Sequence, residues 1–258
     1  MGSAFRVLGK AFKDIWGDMF QLVILNVLTI LAIVGPFLVF ALVAQLLGIE
    51  LSMWNALILA SITLLLPLWP GMWLALYVVC NRSANEFAFS YDHFWAAFRT
   101  YWRTAWMYSA IALVVSVLLG VNFWWYGAAF GDAGWVAWVR GAWMALLLFW
   151  LVIQFYVYAF FVEQEDKRWR VAVRNAALVS AANPVFTGIM LLVASIIVGL
   201  SLLLTPVFVL LGPAAWIMFG TGAVVNRVNL YRERLKAEAD RKDKDDKQES
   251  LSQSTVGS

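Results

Sequence analysis

Long apolar stretches alternate along this chain with shorter segments that carry most of the charge. A helix rises 1.5 Å per residue, so about 20 apolar residues are needed to cross a hydrocarbon layer of about 30 Å. Six stretches approach or exceed that length, although the last is short. They cover residues 19–47, 53–80, 105–126, 141–162, 185–204 and 210–225. The pattern predicts an all-α fold, a polytopic membrane bundle of about six transmembrane helices.

Three connecting segments are amphipathic, and we expect them to form helices that lie along the cytoplasmic membrane surface. The first, residues 3–18, places its large apolar side chains on one helical face and most of its charges opposite. These side chains are Phe5, Leu8, Phe12, Ile15 and Trp16. The second covers 91–103, and the third covers 169–182 and ends where Asn183 caps a span that starts at Pro184. A surface helix followed by two spans thus recurs three times, through internal duplication or through a chance likeness of basic interfacial helices.

Composition divides the chain into three parts. Residues 1–18 are predicted to form the first amphipathic helix, and residues 19–228 the transmembrane domain. Residues 229–258 are predicted to form a charged cytoplasmic tail, in which seven basic residues face seven acidic ones between positions 232 and 249. This segment has too little apolar surface to fold alone, so we expect it to be largely disordered.

The basic residues predict the orientation of the bundle. Cytoplasmic loops carry an excess of Lys and Arg. Of the 19 basic residues, all except Arg140 fall on one side of the predicted spans. The prediction is therefore a multi-pass protein of the cell (inner or plasma) membrane, with its N-terminus and C-terminus in the cytoplasm.

The overall composition supports a membrane location. The chain is 63% hydrophobic and 14% charged, with a mean hydropathy of +0.77. A soluble domain of this length has too small an interior to hide so much apolar surface. The 15 Trp favour the same environment, because indole prefers the headgroup boundary. The lipid bilayer is thus the first predicted partner.

The sequence offers little for catalysis. There is one cysteine, Cys80, and one histidine, His93, so a histidine metal cluster or a Ser-His-Asp triad has little to build on. The charged run 163–168 is interpreted as a solvated, self-paired loop rather than a metal site. We expect no enzymatic activity, no cofactor and no nucleic-acid partner, because the tail has no unopposed positive charge.

Five polar residues inside the spans form the candidate intramembrane pocket. They are Asn26, Thr29, Gln154, Tyr156 and Tyr158. Asn26 and Gln154 lie at a similar predicted depth, roughly 10–12 Å below the cytoplasmic boundary. Two interpretations stay open, a solute-facing pocket and a hydrogen bond that joins two helices.

Pro67, Pro70 and Gly71 form a candidate helix break in the second span. Such a break frees backbone carbonyls that can line a cavity, as in transporters, although a plain kink explains the same residues.

Several motifs, in this order and spacing, resemble those of the YesL-like (DUF624) family of bacterial membrane proteins. They are Leu25-Asn26-Val27-Leu28, Pro70-Gly71-Met72-Trp73-Leu74-Ala75-Leu76-Tyr77, Asn122-Phe123-Trp124-Trp125-Tyr126-Gly127, Glu163-Gln164-Glu165-Asp166, and Arg174-Asn175-Ala176 followed by Asn183-Pro184. The similarity extends over roughly residues 10–228. The resemblance implies a role near carbohydrate uptake, with uptake components or a small solute as partners, and it carries over no catalytic residues.

Two functions of different class follow from these observations. One is a transport-related protein, permease-like or accessory to carbohydrate uptake, favoured by the helix break and the buried amides. The other is a non-transporting scaffold or sensor that recruits cytoplasmic partners. The scaffold is favoured by short outer loops and by the lack of ionisable residues deep in the spans.

Overall fold

A computed structural model describes residues 2–48, 52, 55–56, 68–87, 90–131 and 133–256. The described residues form a bundle of eight long helices. They are α1 (Gly2–Gly17), α2 (Met19–Leu46), α3 (Leu68–Ala84), α4 (Tyr91–Phe130), α5 (Gly134–Glu163), α6 (Trp169–Ala182), α7 (Pro184–Leu203) and α8 (Thr205–Val256). The described part contains no β-strand, which confirms the all-α prediction.

Within the part of the chain that the structure describes, four helices are long and apolar enough to cross a membrane, namely α2, α4, α5 and α7. Their outward faces expose large apolar side chains, as expected for surfaces that contact lipid. The second predicted span, 53–80, falls largely outside the described residues, and its described part is α3. The sixth, 210–225, is part of α8, which is not among these four helices.

Helix α8 is the centre of the bundle, because it packs against α1, α2, α3, α5 and α7. Glycines permit the close approach of several helices. A Cβ atom at Gly220 would lie 2.9 Å from the Phe155 carbonyl oxygen, and one at Gly71 would lie 2.9 Å from the Trp102 Cβ atom. Because glycine has no side chain, α8 can lie this close to α5 at Gly220, and α3 can lie this close to α4 at Gly71.

Helix α1 forms as predicted, but it packs on the bundle mainly through small residues. Its small residues Ala4 and Ala11 are buried with Val7 and Leu8 and pack against α8. Most of the predicted apolar face stays exposed, including Trp16 at 77%. Small side chains allow close helix packing, so the bulky aromatic residues are left on the outer surface, where lipid can cover them.

The second predicted surface helix is continuous with the third predicted span. Residues 91–103 and 105–126 belong to the single helix α4, which measures about 60 Å at 1.5 Å per residue. Phe94 and Ala97 are buried, and α4 contains no proline or glycine between Tyr91 and Gly120. Without a breaker, the helical hydrogen bonds continue across the predicted boundary.

The third predicted surface helix matches α6, which ends at Ala182 before α7 starts with Pro184. Asn183 occupies the N-cap position, but its side chain makes no capping hydrogen bond, so this detail of the prediction is wrong. Helix α6 is held instead by Trp169, whose ring stacks on Tyr108 at 4.1 Å and on Phe161 at 3.9 Å between centroids.

The described part of the tail is helical, since α8 continues to Val256. The predicted disorder of residues 229–258 stays a prediction. The charges of this segment are compatible with a helix. Opposite charges recur four residues apart, for example at Arg234 and Glu238 and at Glu238 and Lys242. Such i, i+4 pairs stabilise an exposed helix.

Candidate functional site

A cavity of about 890 Å³ lies inside the bundle between α3, α4, α5, α7 and α8. Pockets that bind small molecules usually measure about 300–1,000 Å³ and combine apolar walls with a few polar groups. Aromatic rings dominate these walls. They belong to Trp69, Trp73, Tyr77, Trp106, Phe155, Tyr158 and Trp216. None of the described residues that line the cavity is Asp, Glu, Lys, Arg or His.

Hydrogen bonds between α4 and α5 form the polar part of the cavity. The Tyr108 hydroxyl donates to Gln154 Oε1 at 2.8 Å, and the hydroxyls of Ser109 and Tyr158 lie 2.6 Å apart. The Gln154 Nε2 atom is buried and has no hydrogen-bond partner among the described residues. An unpaired buried donor is unfavourable, so this amide weakens the contact between α4 and α5.

The candidate pocket residues separate into two groups. Gln154 and Tyr158 line the cavity, whereas Asn26, Thr29 and Tyr156 do not. Thr29 is buried and donates to the backbone oxygen of Leu25 in its own helix. The hydroxyl of Tyr156 is also buried, away from the cavity.

Asn26 joins α2 to α8 at a proline. Its Oδ1 atom accepts a hydrogen bond from the Ala214 backbone N–H at 3.1 Å. Pro213 precedes that amide inside α8, where proline interrupts the helical hydrogen-bond pattern. Asn26 and Gln154 therefore make separate contacts, and the expectation that they form one pair is not met.

The candidate helix break lies only partly within the described residues. Pro67 falls outside them. Pro70 lies near the start of the described part of α3 and lines the cavity. Gly71 lies against Phe98 and Trp102 on α4, so its role is close packing.

A polar cluster that the sequence did not predict joins the helices beneath the cavity. We define the polar clasp as Glu163 of α5, Asn81 and Asn85 of α3, and Arg232 of α8. Glu163 accepts hydrogen bonds from Asn81 at 2.9 Å and Asn85 at 3.3 Å, and it lies 3.3 Å from the Arg232 guanidinium. Its side chain is only 8% exposed, unlike the solvated residue that the loop pattern suggested. The spacing of two asparagines four residues apart could have indicated a shared partner.

The end of α3 is fixed beside the polar clasp. Glu86 adopts a φ of 63°, and the amides of Glu86 and Phe87 donate back to the oxygens of Ser83 and Arg82. This is the Schellman arrangement, with a glutamate where glycine is usual. Lys10 of α1 donates to the Glu86 carboxylate at 2.9 Å, and this hydrogen bond lowers the pKa of Glu86. The ion pair thus secures an αL residue at the helix end.

The described residues include no group of His, Cys, Asp or Glu side chains arranged to hold a metal ion. Cys80 is buried within the apolar core. Comparison with known proteins finds no matching family model and no significantly similar curated protein or solved structure.

Proposed function

We propose that this protein is a six-span membrane protein that binds a small uncharged solute in its central cavity and takes part in its transport. The observation that carries the proposal is the cavity itself. It has the volume of a ligand site and aromatic walls, and no Asp, Glu, Lys, Arg or His is found among the described residues that line it. A charged solute would lose its hydration there without gaining a counter-ion, so the site disfavours charge.

The polarity of the two bundle ends supports the proposed orientation. We call the end that carries the polar clasp the inner end, and Lys10 and Glu86 also meet there. Arg140 lies near the opposite end of the bundle. Its guanidinium carbon lies 4.7 Å from the centre of the Phe123 ring. If α3 and the first part of α8 are counted as spans, the chain crosses the membrane six times and both termini lie at the inner end. The basic residues predict that this end faces the cytoplasm.

The resemblance to the YesL-like family is the basis for placing this activity near carbohydrate uptake. Under that proposal, the protein is a permease-like carrier or an accessory of an uptake system in the inner or plasma membrane. Glu163 begins one of the motifs that carry the resemblance, and it also forms the polar clasp between three helices that line the cavity.

A membrane scaffold or sensor is the second candidate. It is favoured by α8, which continues from the bundle to Val256 with exposed charged residues along 232–242. A scaffold needs this segment but does not need the cavity. Removal of residues 236–258 therefore separates the two functions, since transport should survive the truncation and partner recruitment should not.

Uptake of uncharged compounds tests the proposed function. Cells that express the protein are compared with cells that express Gln154→Leu, using a labelled panel from glycerol to disaccharides and single-chain alcohols. Asn122→Leu is the matched control, because its amide donates within its own helix to Leu118 and does not line the cavity. We expect protein-dependent uptake that Gln154→Leu removes and Asn122→Leu retains, at equal protein levels. Uptake that is absent for the whole panel, or equal in the two variants, would contradict transport through this site.

A further inference from the structure

A separate cavity, of about 300 Å³, lies at the inner end of the bundle where α7 begins. Its walls come from α1, from α8 and from the junction between α6 and α7. Arg227 of α8 is the only charged residue among the described residues that line it. Most of the others are apolar, and they include Val185, Phe186 and Ile189 of α7. We call the space between Arg227 and these three residues the arginine crevice.

The Arg227 guanidinium is held in position without a counter-charge. Its Cζ atom lies 3.7 Å from the centre of the Phe186 ring, which is a cation–π contact. None of the ion pairs between described residues includes Arg227, whereas Arg232 further along α8 has Glu163 as its partner. The Arg227 Nε atom is buried, but its two Nη atoms are not, and they make no hydrogen bond to a described residue. The Nη atoms are therefore the donors that a ligand in the crevice can reach.

The arginine crevice lies at the level where phospholipid head groups are expected. Arg227 follows the sixth predicted span, 210–225, and Pro184 precedes the fifth, 185–204. Helix α7 begins at Pro184 and is apolar enough to cross a membrane. Basic pockets between helices on the cytoplasmic side of a membrane are typical binding sites for lipid phosphates. A guanidinium also matches a phosphate group, because it can donate two parallel hydrogen bonds.

An exposed apolar surface continues from the arginine crevice along α7. Val185 lines the crevice and is 61% exposed. Leu192, Ile196 and Leu200 follow on the same helical face and are exposed as well. This face leads from the crevice toward the other end of the span, so an acyl chain can lie on it. A free phosphate ion would make no use of this surface, and the arrangement favours a lipid.

We infer that the arginine crevice binds the phosphate of an anionic phospholipid in the inner leaflet. The Arg227 Nη atoms donate to phosphate oxygens, and an acyl chain lies along Val185 and Leu192. The described lining contains no Asp or Glu, so the choline of a zwitterionic lipid would find no counter-charge there. An anionic head group neutralises Arg227 instead. The inference does not depend on the solute cavity, and the proposed orientation determines only which leaflet supplies the lipid.

Native mass spectrometry of the delipidated full-length protein in detergent tests the inference, with phosphatidylglycerol and phosphatidylcholine as probes. We expect the first phosphatidylglycerol to bind about tenfold more tightly than phosphatidylcholine, and Arg227→Gln to remove this preference. Arg241→Gln is the matched control, because it removes the same charge from an exposed position of α8 outside the crevice. Val185→Trp fills the crevice from an exposed position and should also remove the preference, so the test stands if Arg227→Gln fails to fold.

Competition with inorganic phosphate separates a lipid site from a site for the free ion. Excess inorganic phosphate should leave the binding of phosphatidylglycerol unchanged. Displacement by the ion would overturn the assignment to a lipid. Equal affinities for the two lipids, or a preference that Arg227→Gln and Arg241→Gln reduce alike, would overturn the site itself. None of these results bears on uptake that depends on Gln154, so the inference and the proposed function fail separately.

Discussion

The Glu163 carboxylate at the end of α5 lies 3.3 Å from the Arg232 guanidinium of α8 and also accepts hydrogen bonds from Asn81 and Asn85 of α3. The carboxylate is buried, whereas Arg232 is half-exposed, so solvent screens part of their attraction. The three helices joined in this way also line the cavity. The polar clasp therefore stabilises the arrangement of the walls at the inner end.

Replacing Glu163 by Leu should destabilise the protein. The change leaves the Asn81 amide without its acceptor, at a cost of about 1–3 kcal/mol, whereas Asn85 still donates to the Asn81 backbone oxygen at 3.0 Å. Thermal unfolding in detergent measures the effect, with Glu165→Leu as the control at an exposed position two residues away. Equal melting temperatures for the two variants would show that the polar clasp contributes nothing to stability.

Gly220→Ala should also destabilise the protein, because the added methyl group would lie 2.9 Å from the Phe155 carbonyl oxygen. A backbone atom cannot move aside cheaply, and we expect a loss of about 1–3 kcal/mol. Gly222→Ala is the control on the same helix, since its methyl group would meet Val7 at an ordinary 3.6 Å. If denaturation curves of the two variants coincide, α8 and α5 do not approach as described.

The ion pair between Lys10 and Glu86 should make stability depend on pH in the acidic range. The hydrogen bond from Lys10 lowers the pKa of Glu86 below its ordinary 4.5, so the contribution is present above that value and is lost as pH falls through the folded-state pKa. Asp14 acts in the opposite sense, because burial raises its pKa. Melting temperatures should therefore be compared between the wild type and Glu86→Gln. We expect the advantage of the wild type to shrink below pH 4.5, and a constant difference down to pH 3 would contradict this account.

The orientation of the bundle is testable by cysteine labelling in intact cells. In a Cys80→Ala background, single replacements Ser52→Cys and Ala133→Cys should react with an impermeant thiol reagent. Ser90→Cys and Ser252→Cys should react only after the cells are opened, because both positions lie in segments that the basic residues place in the cytoplasm. Labelling of Ser90→Cys from outside would reverse the proposed topology.

Apolar periodicity was sufficient to predict the helical class and four long apolar helices, because lipid-facing helices must be apolar over their whole length. It could not predict where a span ends when no breaker is present. Residues 91–103 and 105–126 differ in amphipathicity, yet they form one helix, since nothing between them interrupts the backbone hydrogen bonds.

Polar partners are hard to predict from the sequence, because they come from segments that are far apart along the chain. The sequence indicates Gln154 and Tyr158 as pocket residues, but predicted depth alone pairs Gln154 with Asn26. In the structure, Asn26 accepts from the Ala214 amide and Gln154 accepts from Tyr108. Such pairings depend on which helices are neighbours. Helix α1 shows the same limitation, because its alanines rather than its aromatic residues determine the packed face.

The most direct test of the central claim is the reactivity of a cysteine placed in the cavity. Ser109→Cys in the Cys80→Ala background is treated, in detergent, with methyl methanethiosulfonate and with its cationic trimethylammonium-ethyl analogue. An uncharged cavity inside the bundle predicts rapid modification by the neutral reagent and strong protection from the cationic one, with unfolding abolishing the difference. Equal rates for both reagents, or no reaction of the folded protein with the neutral one, would contradict the existence of a site for uncharged solutes between α4 and α5.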